Sequence, residues 1–251
     1  MSYKVIMGKT FVLTSGTSGI GKAIALKILH ESEDNDHIFI NYGHNDGIAN
    51  KFYDELSDEY KKKVSLIKAD LSQYENIDIL VNEIKKRKTK IDCLILNTGI
   101  SSYLPFDEYT YELWDSIMKT NVSVPVFIVK ALKPMINEHG SIIFMGSHAG
   151  QEPYSSSLVY SISKAAVLFM AKSFVKVFEE KSIRVNAIAP GFIETRWQKD
   201  RSQESRDRIN AKIALHRFGK PEEVAELCYH IITNEYLNGG IFDIHGGYNY
   251  F

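Results

Sequence analysis

Phe11-Val-Leu-Thr14-Ser-Gly16-Thr-Ser-Gly19-Ile-Gly21 is the stretch that decides the fold. Phe11 to Thr14 reads as a short buried strand, and a glycine-rich turn follows it at once. Beyond the turn, Ile20, Ala23, Ile24 and Ile28 recur at helical spacing, which predicts a helix over 20–30. A strand, a glycine turn and a helix start make an anion cradle. The backbone N–H groups at the helix start and the helix dipole behind them stabilise a pyrophosphate. Glycines let the backbone approach it and let helix and strand pack closely.

Outward from this stretch, short β-branched runs alternate with amphipathic segments. Strands are expected at 11–14, 37–42, 64–69, 91–96, 141–145, 183–188 and 240–244. Helices are expected at 20–30, 48–60, 77–88, 111–136 and 157–180, with Pro125 and Pro134 as bend or end points of the fourth. Two more helices fit the polar segment before the last strand. Such alternation argues for an α/β chain with a doubly wound parallel sheet covered on both faces. The expectation is one Rossmann-like domain of about seven strands spanning 1–251, since no linker, repeat or low-complexity tract interrupts the pattern.

Composition narrows the function classes. The 251 residues are 44% hydrophobic and 24% charged, with a net charge of −1. That balance points to neither nucleic acid nor an anionic membrane as partner. The lysine-rich runs at 61–63 and 85–88 read as solvated helix ends. No apolar stretch is expected to reach membrane-spanning length. Residues 1–8 show no secretory signal, so a cytoplasmic location is the expectation. Cys93 and Cys228 have no metal-ligand or CxxC neighbour, which predicts two packed free thiols and no metal site.

The chemistry-bearing segment is Ser147-His-Ala-Gly-Gln-Glu-Pro-Tyr-Ser-Ser-Ser-Leu-Val-Tyr160-Ser-Ile-Ser-Lys164. Tyr160 and Lys164 stand four residues apart and would share a helix face. An ammonium one turn from a phenol stabilises the phenolate and lowers its pKa. A free tyrosine titrates near ~10, so acid–base work near neutrality needs a shift of roughly 3 units. Ser147 is placed to hold the substrate oxygen that the tyrosine protonates. The grouping suits reduction of a carbonyl or oxidation of an alcohol. An amphipathic helix with an exposed lysine would show the same spacing, and the rest of the chain decides between the two.

Several motifs, in order along nearly the whole chain, resemble those of compact short-chain dehydrogenases/reductases. The loop Thr14–Gly21 resembles the family's Thr-Gly-x-x-x-Gly-Ile-Gly, and Asn97-Thr98-Gly99 resembles its Asn-Ala-Gly. Asn121 in Lys-Thr-Asn-Val, the trio Ser147, Tyr160 and Lys164, Pro190-Gly191, and Arg217-Phe-Gly-Lys-Pro-Glu-Glu-Val complete the match. The chain departs from the pattern at Ser15, where the family has glycine, at Leu96, where asparagine is common, and at Thr98, where it has alanine. The nearest pattern is that of 3-oxoacyl-carrier-protein reductases.

The resemblance implies the remaining roles. Tyr160 would exchange the proton, Ser147 hold the oxygen, Lys164 hold the nicotinamide ribose, and Asn121 anchor a relay water. Ser15, Gly16, Thr17, Ser18, Gly19, Ile20 and Gly21 would cradle the pyrophosphate. Asp70 and Leu71 would meet the adenine, and Asn97, Thr98 and Gly99 would line the cofactor. Pro190, Gly191, Ile193 and Thr195 would hold the carboxamide end. At Asp70 and Thr195 a helix cap is the plain structural alternative.

The second strand ends in Asn41-Tyr42-Gly43-His44, with no carboxylate to bond a ribose 2′-OH. Asn41 and Tyr42 are therefore read as cofactor-binding, with NADP(H) favoured and NAD(H) the alternative. An aspartate at position 41 would be expected to shift preference to NAD(H). His44 fits either a phosphate contact or a bland surface loop.

The expected reaction is NAD(P)(H)-dependent interconversion of a ketone and a secondary alcohol, of 3-oxoacyl thioester type. Alternatives are a sugar, steroid-like or polyketide-type alcohol, or a non-catalytic dinucleotide-binding regulator. The partner is a small-molecule or carrier-bound carbonyl substrate. Its pocket is expected from 101–104, 148–151, Tyr154 and a lid over 192–215 that carries Trp197. Lys130, Lys133 and Lys176 are candidates for docking an acidic carrier. The resemblance implies a homotetramer, or a dimer, built on the long helices, and the aromatic end Tyr248, Tyr250 and Phe251 suits a subunit contact.

Overall fold

The computed structural model describes residues 8–87, 90–152 and 157–249. Readings made on 1–7, Lys88, Tyr154, Tyr250 and Phe251 lie outside the described residues. The strands are β1 (Thr10–Leu13), β2 (His37–Tyr42), β3 (Val64–Lys68), β4 (Ile91–Leu96), β5 (Ile136–Met145), β6 (Arg184–Pro190) and β7 (Ile241–Ile244). The helices are α1 (Gly19–His30), α2 (Asp46–Asp54), α3 (Asp58–Lys63), α4 (Glu75–Lys86), α5 (Tyr111–Met118), α6 (Val124–Leu132), α7 (Leu158–Phe178), α8 (Gln203–Asn210) and α9 (Pro221–Thr233).

All seven strands are parallel, in the order β3-β2-β1-β4-β5-β6-β7. Alternation along each strand splits the core in two. Val12, Phe39 and Leu94 face a cluster shared with Leu80 and Ile84 of α4, Ile128 of α6 and Val167 of α7. Leu13, Ile40 and Ile95 face the other side, against Ile24 and Ile28 of α1 and Val224 and Ile231 of α9. Each such side chain contributes about 1.5–3 kcal/mol by leaving water. Both faces are covered, so the strands read as continuous apolar runs rather than alternating ones. The strand order reverses between β1 and β4, and the crevice beyond their carboxyl ends is where such sheets bind ligands. Cys93 and Cys228 are buried free thiols, and burial pushes Cys93 up to about 12.

The structure departs from the expected elements in three places. The helix expected at 48–60 is two helices, because Ser57 starts a new one by accepting the Tyr60 N–H at 3.3 Å. The helix expected at 111–136 is broken by a π turn at Lys119–Ser123 and ends in a 3₁₀ turn at Lys133–Met135. Pro125 has no N–H to offer the carbonyl of residue 121, which forces the local rearrangement. After Pro134 the chain passes directly into β5, five residues earlier than expected.

The reading of membrane-length stretches is also corrected. Leu158–Lys181 is long and apolar enough by length and composition, with a mean hydropathy of 1.5. Here Val167, Leu168, Ala171 and Phe178 from this segment pack into the sheet core, and Lys164 enters the crevice.

Candidate active site

The turn after β1 is strapped down by buried side chains. Thr14 Oγ1 accepts the backbone N–H groups of Asn97 (2.9 Å) and Thr98 (3.1 Å). Asn97 Nδ2 donates to the Ser15 carbonyl at 3.1 Å. Ser15 sits at φ 52°, in the left-handed region that favours glycine. Its hydroxyl shares a 2.7 Å hydrogen bond with Thr98 Oγ1. Two of the three departures from the family pattern, Ser15 and Thr98, are thus partners across the loop. A Cβ at Gly21 would stand 2.2 Å from the Ser15 carbonyl oxygen, so α1 can pack against the turn only with glycine there. Ser18 precedes α1 without a side-chain cap, and the first turn holds no acidic residue, which leaves its N–H groups suited to an anion.

From this turn a cleft of about 430 Å³ runs along the carboxyl ends of the strands to Ser147, Tyr160 and Lys164. Ser15, Ser18, Gly19, Ile20 and Gly21 wall one end, and Ser147, Tyr160 and Lys164 the other. Asn97, Gly99, Pro190, Gly191, Ile193 and Thr195 lie between them. The structure therefore brings together most of the residues expected from sequence. Gly16 and Thr17 do not line this cleft: a Cβ on Gly16 would meet Ile40 and Leu13, and Thr17 is buried. Thr98 acts through Ser15, and Leu71 is buried in the core.

The end of β2 differs from expectation. Asn41 is 1% exposed and donates through Nδ2 to the carbonyls of Ala69 (2.9 Å), Ile67 (3.3 Å) and Tyr42 (3.3 Å). Its Oδ1 accepts the Ser15 N–H at 3.3 Å. Asn41 thus ties β3 to the glycine turn, and its side chain is engaged by backbone rather than turned toward a ribose. The Tyr42 hydroxyl donates to Asp46 at 3.1 Å. Asp70 accepts from the Ser72 N–H (3.0 Å) and hydroxyl (2.9 Å), and lies 3.2 Å from His44 Nε2. At this corner Gly43 is followed by the exposed His44, and the exposed Asp46 beyond it is paired with Lys68. A Cβ added to Gly43 meets nothing within 4 Å.

At the far end of the cleft, Ser147 follows β5, accepts the Ala149 N–H at 3.2 Å, and donates to the Pro190 carbonyl at 3.5 Å. Tyr160 and Lys164 share a face of α7, and the ammonium stands 5.7 Å from the phenol ring centroid. Lys164 Nζ donates to the Met145 carbonyl at 2.8 Å, so its partner here is the end of β5 rather than the phenol oxygen. Burial disfavours both charged forms. It pushes Tyr160 up to about 12, opposed in part by Ser147, and Lys164 down to about 8. The lowering of the phenol by Lys164 expected from sequence is not found here: burial raises the phenol, and Ser147 is the group that opposes it.

Asn121 sits in the π turn, a distortion frequent at functional sites. Its amide donates to the Ile100 carbonyl and to Ser163 Oγ, both at 2.9 Å, and accepts the Ile100 N–H at 2.8 Å. Ser163 in turn donates to the Tyr160 carbonyl at 2.7 Å. A Cβ at Gly99 would lie 3.1 Å from Lys164 Nζ and 3.4 Å from Asn121 Oδ1, so bare glycine keeps these groups at one point. Sequence reading missed Thr14 and Ser163 as supports. The signal was present: Ser163 stands three residues after Tyr160, where a helical serine bonds back to the preceding turn.

A second compartment of about 290 Å³ opens on the other side of Tyr160. Ser101, Tyr103 and Ala149 from the expected pocket segments line it, with Phe192, Trp197 and Tyr248. Trp197 meets Tyr160 edge-on at 6.1 Å. Lys130, Lys133 and Lys176 line neither compartment. Behind it, ligand atoms of His148, Asp243 and His245 come within 4.8 Å of one another. The Tyr248 N–H donates to His245 Nδ1 at 3.0 Å, which places the proton of the neutral ring on Nε2 and suits a hydrogen-bonded support better than a metal ligand.

A family model described as enoyl-(acyl carrier protein) reductase matches residues 15–249. Glucose 1-dehydrogenase 2 of Bacillus subtilis is 32% identical over 98% of this chain and 96% of its own length. The 3-oxoacyl-[acyl-carrier-protein] reductase FabG of Thermotoga maritima is 30% identical over 96% of this chain and 97% of its own. A blue fluorescent protein from a metagenomic library, solved in complex with NADPH, superposes with a TM-score of 0.87 at 23% identity, over 96% of this chain and 97% of that one. That last likeness is one of fold. With a match over nearly the whole chain and the ordered Ser147–Tyr160–Lys164 cleft, the chain belongs to the short-chain dehydrogenase/reductase family of oxidoreductases.

Proposed function

We propose that this oxidoreductase reduces a ketone to a secondary alcohol with a nicotinamide dinucleotide, NADP(H) before NAD(H), on substrates of the 3-oxoacyl thioester type. One observation carries the reading: Ser147 and Tyr160 line both a cleft that starts at a glycine turn and a second compartment, and Lys164 lines the first beside them. The residues fit a dinucleotide, since the uncapped start of α1 suits its phosphates and Gly99 leaves the space beside Lys164 open. The bound cofactor would supply the hydride.

The chain's own groups do the rest. Ser147 and Tyr160 both address the carbonyl oxygen, and Tyr160, kept neutral by burial, is the proton donor. Lys164, fixed between the Met145 carbonyl and Gly99, would hold the nicotinamide ribose and offer positive charge as the phenol loses its proton. Asn121 fixes the loop after β4 against α7 and thereby the height of Lys164. The absence of a carboxylate at Gly43 and His44 favours a 2′-phosphate. A sugar alcohol is the second reading, favoured by the similarity to glucose 1-dehydrogenase 2.

The segment 192–215 would act as the lid, since its Thr195 approaches Gly19 and its Trp197 covers Tyr160. A homotetramer in the cytoplasm completes the proposal. The outer face of α7 leaves Phe169 68% exposed, and Phe127 of α6 is 44% exposed, apolar surface that a second copy would cover. The test is titration with NADPH and NADH, then turnover of an acetoacetyl thioester and of glucose. Tighter NADPH binding with thioester turnover is expected; turnover of glucose alone would reject the thioester reading.

A further inference from the structure

The second compartment is walled by cations without a counterion. Arg201, Arg208 and Lys212 line it beside Ser147 and Tyr160, and no carboxylate lines either compartment among the described residues. The chain as a whole has a net charge of −1, so this is local segregation rather than a basic protein. Of the neighbouring carboxylates, Glu194 pairs with Arg206 and Asp207 accepts from Gln203 at 2.7 Å, while Asp200 and Glu204 line neither compartment. Arg201 is oriented by neutral partners, Gln198 Oε1 at 2.8 Å and Ser205 Oγ at 3.0 Å, and lies over the Phe192 ring at 5.6 Å. Arg208 and Lys212 have no ion-pair partner among the described residues.

Like charges gathered in one concavity repel, and the arrangement gains only if an anion enters. The cofactor's phosphates do not answer this need. The glycine turn that would hold them lines the other compartment and is absent from this one. We infer that the carbonyl substrate is itself anionic and places a carboxylate or phosphate against Arg201, Arg208 and Lys212 while its carbonyl meets Ser147 and Tyr160. This rests on the reductase reading above and assigns the substrate class of that site. The three cations are specificity residues: they orient the substrate and raise its local concentration, and they take no part in the proton step.

The test uses matched pairs that differ in charge. One is 4-oxopentanoate against its methyl ester, and the other is S-acetoacetyl-4′-phosphopantetheine against S-acetoacetyl-pantetheine. Binding of each to the full-length protein saturated with NADP⁺ is measured by calorimetry, and NADPH oxidation is followed separately. In at least one pair the anion should bind about tenfold more tightly than its neutral partner, and the pair that shows it identifies the group as carboxylate or phosphate. The ratio should fall toward one in Arg208→Gln/Lys212→Gln and at high salt. Both residues are exposed, so the substitution spares the core. Equal affinities within both pairs, no binding by any probe, or a preference that survives the double substitution would overturn the inference. Charge-selective binding without Tyr160-dependent oxidation of NADPH would leave the inference standing and reject the reductase reading.

Discussion

The two compartments either side of Tyr160 are built in opposite ways. The first is made of backbone and glycine at the ends of strands, held by the buried side chains of Thr14 and Asn41 and by the half-buried Asn97. Its shape follows from the sheet. The second is made of long charged and aromatic side chains carried on the short helix α8 and the turns around it. Its shape follows from whatever sequence occupies 192–215. Binding machinery for a shared cofactor belongs on the rigid side, and discrimination between substrates belongs where side chains can change without disturbing the core. Ser147, Tyr160, Gly191, Trp197 and Gln198 line both, so the chemistry lies on the seam.

The largest expected effect is at the seam itself. Tyr160→Phe should lower turnover by at least about 100-fold while NADPH still binds, because one hydroxyl is removed and the cradle is untouched. Steady-state rates and a fluorescence titration of the cofactor check this, and a variant with substantial turnover would remove Tyr160 from the proton step.

Next comes the rigid side. Asn41→Asp should destabilise the fold by about 3 kcal/mol, since a buried carboxylate would face the three carbonyls that Asn41 Nδ2 now serves. Thermal melting reads it. This replaces the expectation that the substitution changes cofactor choice. His44→Asp, exposed at the same corner, should instead move the NADPH/NADH affinity ratio toward NADH by about tenfold at little cost in stability. If His44→Asp leaves the ratio unchanged, the 2′-position is read elsewhere.

The pH profile probes the seam more gently. Tyr160, pushed up to about 12, is neutral throughout the usual range, so ketone reduction should be nearly flat below about pH 8. Alcohol oxidation needs the phenolate and should rise with pH, less steeply above about 8, where Lys164 starts to lose its charge. A plateau in oxidation near neutrality would show that cofactor or substrate lowers the phenol far below its value here. The smallest effect is between Ser15 and Thr98. A double-mutant cycle with Ser15→Gly and Thr98→Ala should show a coupling of about 1 kcal/mol in unfolding experiments, the worth of one hydrogen bond. Additive effects would mean that the two departures arose independently.

Much of the fold and the catalytic group was legible because it is local. The glycine turn, the trio and the apolar runs of the strands depend on spacings of a few residues. Readings failed where a distant partner decides. Asn41 ends a strand and looked like a ribose reader, yet its amide is taken by Ile67 and Ala69 across the sheet. The helix at 111–136 was expected to bend or end at Pro125 and Pro134, but the π turn that seats Asn121 against Ile100 and Ser163 depends on contacts with two other segments. Arg201, Arg208 and Lys212 lie in a polar stretch expected near the pocket, but nothing in their spacing shows that they line one compartment.

By itself the sequence determined a parallel α/β sheet, a glycine turn between the first strand and the first helix, and a tyrosine–lysine pair on one helix face. These follow from hydrophobic period, backbone freedom at glycine and the helical repeat, all of which act over short range. Only the tertiary structure decided the enclosure of Tyr160 and Lys164, the structural role of Asn41, the pairing of Ser15 with Thr98, and the gathering of Arg201, Arg208 and Lys212 in one compartment. Burial, hydrogen-bond partners and local field are properties of what surrounds a group, and its surroundings come from parts of the chain far away in sequence.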